Sequence, residues 1–308
     1  MRRHCSNSSF ILKIMEEKMN RIYFDTNVFE YIIKKKNISV DELNSFNNVS
    51  YYISTAHVEE YFIAIKNDLK KMNIQDNNDR KLLMTSLKHK KGILNPGKRR
   101  IINKVESFDD CLSRVQEWDT TDIMISKSKA LYKELNKYFR NLISKEPSVK
   151  NNSNLDDKEI WNKEEVKTLL AEFSDYLIEH NNYLFTELKP IYGRSFAYEF
   201  ANKRRVPPFE LKKDCFKDIS NQYSTMELVF EFLHFTLNKC GYNRDKEEFT
   251  VRSGIYDTTH SIYGTYCNYF VSNDNRLRKR VSAIYYYLGV TTKVISFNEF
   301  LDIADKLR

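Results

Sequence analysis

Residues 21–28, Arg21-Ile22-Tyr23-Phe24-Asp25-Thr26-Asn27-Val28, join two kinds of periodicity. Ile22, Tyr23 and Phe24 are β-branched or aromatic, so Arg21 to Phe24 reads as a short strand closed by Asp25. From Thr26 to Lys36 the apolar residues change spacing: Val28, Phe29, Ile32 and Ile33 recur at helical intervals. A strand that runs straight into a helix is half of a β–α unit, and repeated units of that kind imply a parallel sheet.

Working outward, the pattern recurs. Asp41 to Phe46 reads as a short helix, Val49 to Ile53 as a second strand, and Ser54 opens a helix from Thr55 to about Lys71. The last sixty residues alternate again. Ile255 to Cys267 reads as a helix, Tyr269 to Ser272 as a strand, and Asp274 to Leu288 as a helix stopped by Gly289. Thr292 to Ile295 is a strand and Phe297 to Leu307 a closing helix.

The middle, Met72 to Phe249, reads as amphipathic helices at Lys81–Lys90, Asp122–Ile143, Lys163–His180 and Thr225–Lys239. The last carries a capping box of Ser224 and Glu227 and a Gly241 stop. Gly92 to Arg99 nearly spells a phosphate-binding loop, but Arg99 stands where Ser or Thr would hold Mg²⁺, so 88–104 reads as a basic turn between helices. Ser144 to Asp157 reads as a loop. Neither α/β end is large enough to bury a sheet on both faces. The expected fold is therefore α/β: one three-layer α/β/α core with a central parallel sheet, built from 20–71 and 250–308. An all-α insertion over 72–249 interrupts it, and 1–19 forms an extension.

Composition bounds the function. The 308 residues carry 50 Lys+Arg against 42 Asp+Glu, a formal net charge of +8, with a pI near 9.0. That balance is compatible with a polyanionic partner. With 7 Gly and 5 Pro, these residues stand at about a third of average usage, which argues against glycine-rich phosphate loops and a nucleotide cofactor. The five cysteines are scattered without a CxxC pair, which fits reduced thiols in a cytoplasm and excludes a Cys-based zinc site. No apolar run reaches the roughly 20 residues of a membrane span, and Met1 to Asn20 lacks a small-residue cleavage signal. The expectation is a cytoplasmic protein.

Chemistry concentrates in four acids. Asp25 and Asp274 follow the carboxyl ends of two strands, where open parallel sheets bind their ligands. Glu60 lies on the helix after the second strand, and Asp257 opens another helix with His260 three residues on, on the same face. Carboxylates meeting in one cleft repel one another, and a hard divalent cation relieves the repulsion. Asp25 and Asp274 taken singly also read as helix N-caps, and Glu60 as an exposed helix residue beside Glu59.

These residues resemble the motifs of PIN-domain ribonucleases. Arg21 to Val28 resembles the first motif, Ser54-Thr55-Ala56-His57-Val58-Glu59-Glu60 the second, Asp257-Thr258-Thr259-His260 the third and Phe270-Val271-Ser272-Asn273-Asp274 the fourth. The resemblance covers about 20–66 and 250–308 and leaves the insertion unexplained. It implies that Asp25, Glu60, Asp257 and Asp274 are the catalytic and metal-binding acids for Mg²⁺ or Mn²⁺, with Glu59 competing with Glu60. It places Asn27, Ser272 and Asn273 behind them; His57 and His260 are not general to the family and read as structural histidines beside the acids. The implied activity is endonucleolytic hydrolysis of RNA leaving a 5′-phosphate. Alternatives are an inactive RNA- or protein-binding module and a DNA-directed nuclease. Phe24 to Asn27 also resembles haloacid-dehalogenase phosphatases, but Asn27 replaces their general acid. Lys98, Arg99, Arg100, Arg204 and Arg205 are candidate nucleic-acid contacts. The Asn/Lys-rich composition favours a toxin or defence nuclease, with a protein inhibitor (an antitoxin) or a second copy as further partner.

Overall fold

The computed structural model describes residues 19–35, 38–68, 74–87, 92–97, 100–117, 152–179, 211–244 and 251–306. The first part runs β1 (Asn20–Phe24), α1 (Thr26–Lys35), α2 (Val40–Ser45), β2 (Val49–Tyr52), α3 (Thr55–Asp68), α4 (Ile74–Ser86), β3 (Ile93–Pro96), β4 (Ile101–Lys104) and α5 (Phe108–Glu117). After a 3₁₀ turn (Ile160–Asn162) come α6 (Glu164–Glu179), α7 (Phe216–Ile219), α8 (Tyr223–Lys239) and α9 (Val251–Gly264). The chain closes with β5 (Tyr269–Val271), α10 (Asn275–Leu288), β6 (Lys293–Ile295) and α11 (Phe297–Asp305).

Four strands form one parallel sheet in the order β2-β1-β5-β6. The chain starts in the middle at β1, steps out to β2, and later returns to the opposite flank of β1 as β5. The strand order therefore switches between β1 and β5, which opens a crevice at their carboxyl ends.

Side-chain alternation along β1 sends neighbouring residues to opposite faces. Ile22 and Phe24 join Val49, Tyr51 and Val271 in one core, which α1 and α11 cover with Val28, Phe29 and Phe300. Tyr23 joins Tyr52 and Phe270 in the other, beneath Phe173 of α6, Phe230 of α8, Tyr263 of α9 and Ile284 of α10. Helices thus cover both faces, as the apolar strands require. Gly289 adopts φ +76° and ends α10 as expected. Among the described residues no helix is long and apolar enough to cross a membrane.

Three expectations need correction. The stretch 72–249 is not wholly helical: β3 and β4 form an antiparallel hairpin over 93–104, where a basic turn was expected. Ile93-Leu94 and Ile101-Ile102 are strand formers on either side of the turn, and Leu94 N–H donates to Ile53 O at 2.9 Å, leaning the hairpin on the end of β2. Gly97 is required there, since a Cβ would stand 2.5 Å from Arg100 O. Secondly, α8 begins at Tyr223 with Gln222 as N-cap and no side-chain cap bond, so Ser224 lies inside the first turn and is not the cap. Thirdly, α9 starts at Val251, which puts Asp257 in the middle of that helix instead of at its opening. The helix expected at Asp122–Ile143 lies outside the described residues.

Phe24 is the hub of the first core. Its ring centroid lies 5.2 Å from Tyr51 and Phe300 and 5.8 Å from Phe29 and Phe297. Phe24→Ala should lower the unfolding free energy by about 3–5 kcal/mol in urea titration. A near-neutral change would contradict the central place of β1.

Candidate active site

Asp25 follows β1 directly and is 4% exposed. Its N–H donates to Val271 O at 2.9 Å, so the residue is stitched to β5. Oδ1 accepts from Thr26 N at 2.8 Å, and Oδ2 accepts from Ser272 Oγ at 2.8 Å and from Asn27 Nδ2. An N-cap side chain accepts from the second or third helical N–H. Asp25 reaches only the first, so capping does not account for it. Asp274 does cap: Oδ1 accepts from Arg276 N at 2.7 Å and Leu277 N at 3.0 Å at the start of α10.

Ser272 joins the two acids, because Oγ donates to Asp25 and accepts from Asp274 N at 3.1 Å. Asn27 spans the same gap: Nδ2 donates to Ser272 Oγ at 2.9 Å and Oδ1 accepts from Asn273 N at 2.8 Å. Asn273 Oδ1 in turn accepts from Phe297 N at 3.3 Å, which ties the crevice to α11.

Glu60 enters from α3. Its Oε2 accepts from Thr26 Oγ1 and lies 2.9 Å from His260 Nε2. The charge of Glu59, its competitor in sequence, is felt at Arg114, Cys111 and Tyr263. Asp257 Oδ2 pairs with Arg280 Nη2 at 3.3 Å, and its charge reaches His260. Arg280 is held by Asn243 O at 2.9 Å. Among the candidate nucleic-acid contacts, Arg100 is exposed at the hairpin turn; Lys98, Arg99, Arg204 and Arg205 lie outside the described residues.

A buried relay runs behind Glu60. His260 Nδ1 is 2.7 Å from Tyr23 Oη, which is 2.7 Å from Ser54 Oγ, which is 3.2 Å from His57 Nδ1. His57 Nε2 is 2.7 Å from Phe24 O. Sequence reasoning did not single out Tyr23, although strand alternation turns it to the face opposite Phe24. Besides Arg280, two further guanidinium groups were missed. Arg278 donates to Ser272 O at 2.7 Å, one helical turn after Asp274. Arg80 of α4 pairs with Glu30 at 2.8 Å and lends positive potential to Glu60; no local pattern marks it.

Burial is the main influence on these charges. It pushes the Asp25 carboxyl up to about 6, helped by the Glu60 charge and opposed by His260 and the hydrogen bonds. For Glu60 burial acts in the same direction, but the His260 charge and the bonds from His260 and Thr26 outweigh it and hold the carboxyl low. For His260 burial pushes down, and Glu60 outweighs it with help from Asp25 and Asp257, so the imidazole is raised. His57 is held far below its usual range by burial and then by the His260 charge.

Among the described residues no three His, Cys, Asp or Glu side chains stand close enough to share one ion. What the crevice does offer is a buried carboxylate, Asp25, whose hydrogen-bond donors are all neutral, linked through one hydroxyl to the exposed Asp274. No protein-family model, curated protein or solved structure matches the chain.

The raised Asp25 value has a definite sign in stability. The folded protein holds this proton more tightly than the unfolded chain, so stability is lost as pH rises from about 4 to about 6 and stays lost above. The Asp25 carboxyl carbon should titrate with a midpoint near pH 6 in ¹³C NMR. A midpoint at the ordinary aspartate value would show that the carboxylate is solvated.

Proposed function

We propose that the chain is a Mg²⁺- or Mn²⁺-dependent endoribonuclease with a PIN-like core, in which 72–249 forms an insertion that helps to select the substrate. The observation that carries this reading is Asp25, a carboxylate buried at the carboxyl end of a central strand, in the crevice where the strand order switches. An ionised group in that position invites a cation. Asp25 and Asp274 approach the crevice from β1 and from the start of α10 and would hold the ion between them. Mg²⁺ is commonly held by one or two carboxylates, with water and substrate phosphate completing its shell, so this donor set fits. When bound, such an ion supplies an activated water and stabilises charge on the phosphorus oxygens.

The chain's own residues do the positioning. Thr26 N–H, Asn27 and Ser272 fix both oxygens of Asp25, so the carboxylate does not swing on loading. Asn27 and Asn273 lock the β5–α10 connection against β1, which sets where Asp274 begins its helix. Arg278, anchored on Ser272 O, brings a guanidinium to the same strand end, where it would hold a neighbouring phosphate. The +8 net charge supports a nucleic-acid substrate through release of its counterions. A toxin or defence role, with an inhibitor protein or a second copy as partner, fits the same reading.

RNA cleavage should require Mn²⁺ or Mg²⁺ and leave 5′-phosphate ends. Asp25→Asn should lower kcat/KM by about 10³-fold, the rate equivalent of several kcal/mol of lost charge stabilisation. Adding Asp274→Asn should cost little more, because the two act as a unit. RNA bound intact, with no cleavage under either metal, would favour the binding-module alternative; preferential cleavage of DNA would redirect the substrate.

A further inference from the structure

The outer face of α10 leads away from the crevice. The helix starts there, with Asp274 as its N-cap. Asn275, Lys279, Ser282 and Tyr286 recur at i, i+4, i+7 and i+11, which places them on one stripe. Leu277, Val281, Ile284 and Leu288, on the opposite side, are buried in the core. Asn275 and Lys279 are exposed, and Ser282 and Tyr286 are half-buried. At 1.5 Å per residue the stripe runs about 17 Å from Asn275 to Tyr286.

Two segments far apart in the 72–249 stretch converge on its far end. Lys213 Nζ lies 4.8 Å from the Tyr286 ring centroid and donates to Tyr286 Oη at 3.2 Å. Lys158 Nζ lies 5.8 Å from the same centroid. Both lysines are exposed. Each segment is fastened to α10 beside the ring: Trp161 Nε1 donates to Ala283 O at 2.9 Å, and Asp214 N–H donates to Tyr287 O at 2.8 Å.

The acids of these segments are engaged by their own neighbours. Asp156 Oδ1 accepts from the N–H groups of Lys158 and Glu159 at 2.8 Å each, and the Lys279 charge is felt at the same carboxylate. Glu159 Oε2 accepts from Asp156 N at 3.0 Å. Asp157 accepts from the hydroxyls of Tyr242 and Ser282. The Asp214 carboxylate lies against Gly289, where an added Cβ would stand 2.9 Å from Oδ1. Arg276, Arg278 and Lys279 add three cations near the crevice and Lys212 one beside Lys213, so cations outnumber acids along the stripe. Arg280 belongs to the inner face, paired with Asp257.

We propose that this stripe carries single-stranded RNA away from the crevice, with Lys279, Lys158 and Lys213 on its phosphates and the Tyr286 ring against one of its bases. This rests on the metal-dependent nuclease reading above. A ring flanked by two ammonium groups offers a stacking surface to a base and counter-charge to the phosphates beside it. Loading exchanges partners: the base takes the ring face, and a lysine moves from the ring to a phosphate. A duplex hides the faces of its bases, so an unpaired strand fits the ring and paired RNA does not. At the stacked spacing of about 3.4 Å per nucleotide the stripe holds about five nucleotides. Arg278, fixed on Ser272 O and Asn275 Oδ1, stands where the strand would leave the crevice.

Fluorescence anisotropy of labelled oligonucleotides on the full chain, in EDTA so that RNA stays intact, reads the stripe directly. Lengthening a single strand by five nucleotides on one side of the position cut in Mn²⁺ should tighten binding to wild type by about tenfold or more. Lys158→Met combined with Lys213→Met should abolish most of that gain and flatten the slope of log K against log salt by about 1.4. Tyr286→Ala should weaken binding of the long strand about fivefold or more, whereas Tyr286→Phe should retain it. Should Tyr286→Ala not fold, Lys279→Ala on the exposed stripe should still reduce the gain from length. No gain from extension on either side, an equal gain in the variants, or tighter binding of a duplex would overturn the stripe, and Mn²⁺-dependent cleavage by wild type would then leave the nuclease reading standing. RNA held along the stripe but never cut would overturn the nuclease reading and keep the stripe as a binding surface.

Discussion

A buried carboxylate that no cationic side chain contacts among the described residues organises this molecule. Asp25 sits where β1 leaves the sheet, with parallel strands on both sides and helices over both faces. Burying an ionised group costs free energy unless its surroundings supply donors or opposite charge. Here the donors are small and neutral: a backbone N–H, an amide and a hydroxyl. They orient the group without cancelling its charge. The α1 start, the Ser272-Asn273-Asp274 turn and the Asn27 bridge all follow from meeting that one requirement. The carboxyl is thus held in one orientation while burial keeps its proton affinity raised.

Much of the frame was legible because each terminal element is short, apolar and bounded. The run Arg21 to Phe24 could only be a strand, and Asp25 could only stand at its end. Gly289 and Asp274 marked both limits of α10. The hairpin at 93–104 was hidden because its Lys- and Arg-rich turn dominated the local reading, while the strand-forming Ile93-Leu94 and Ile101-Ile102 carry few residues. Asp257 was placed at a helix start because the residues before it, Val251 to Tyr256, have mixed character and no cap signal.

The acids themselves were visible, but their partners were not. Nothing local in sequence links Arg280 to Asp257 or Tyr23 to His260, since these pairs are 23 and 237 residues apart. Sequence spacing brought Glu60 forward and left Glu59 beside it. What separates them is the hydrogen bonding that Thr26 and His260 give to Glu60, while the charge of Glu59 is felt at Arg114. A carboxylate's chemical role depends on whether another residue has already neutralised it, and that is a property of the tertiary structure.

The wide separation of Asp25 and Ser272 has a consequence for synthesis. These residues are 247 apart, and β1 lacks its β5 neighbour until the last part of the chain has been made. At about 5–20 residues per second, the interval between them takes on the order of 12–50 seconds on the ribosome. During that time the amino-terminal half carries Asp25, Glu60 and the relay through Ser54 and His57, but neither His260 nor the β5 edge that holds them in register. Until β5 docks, Asp25 lacks its Ser272 partner and the crevice has only one of its two walls. The topology thus acts as a delay, which completes the crevice only when synthesis of the chain is nearly over.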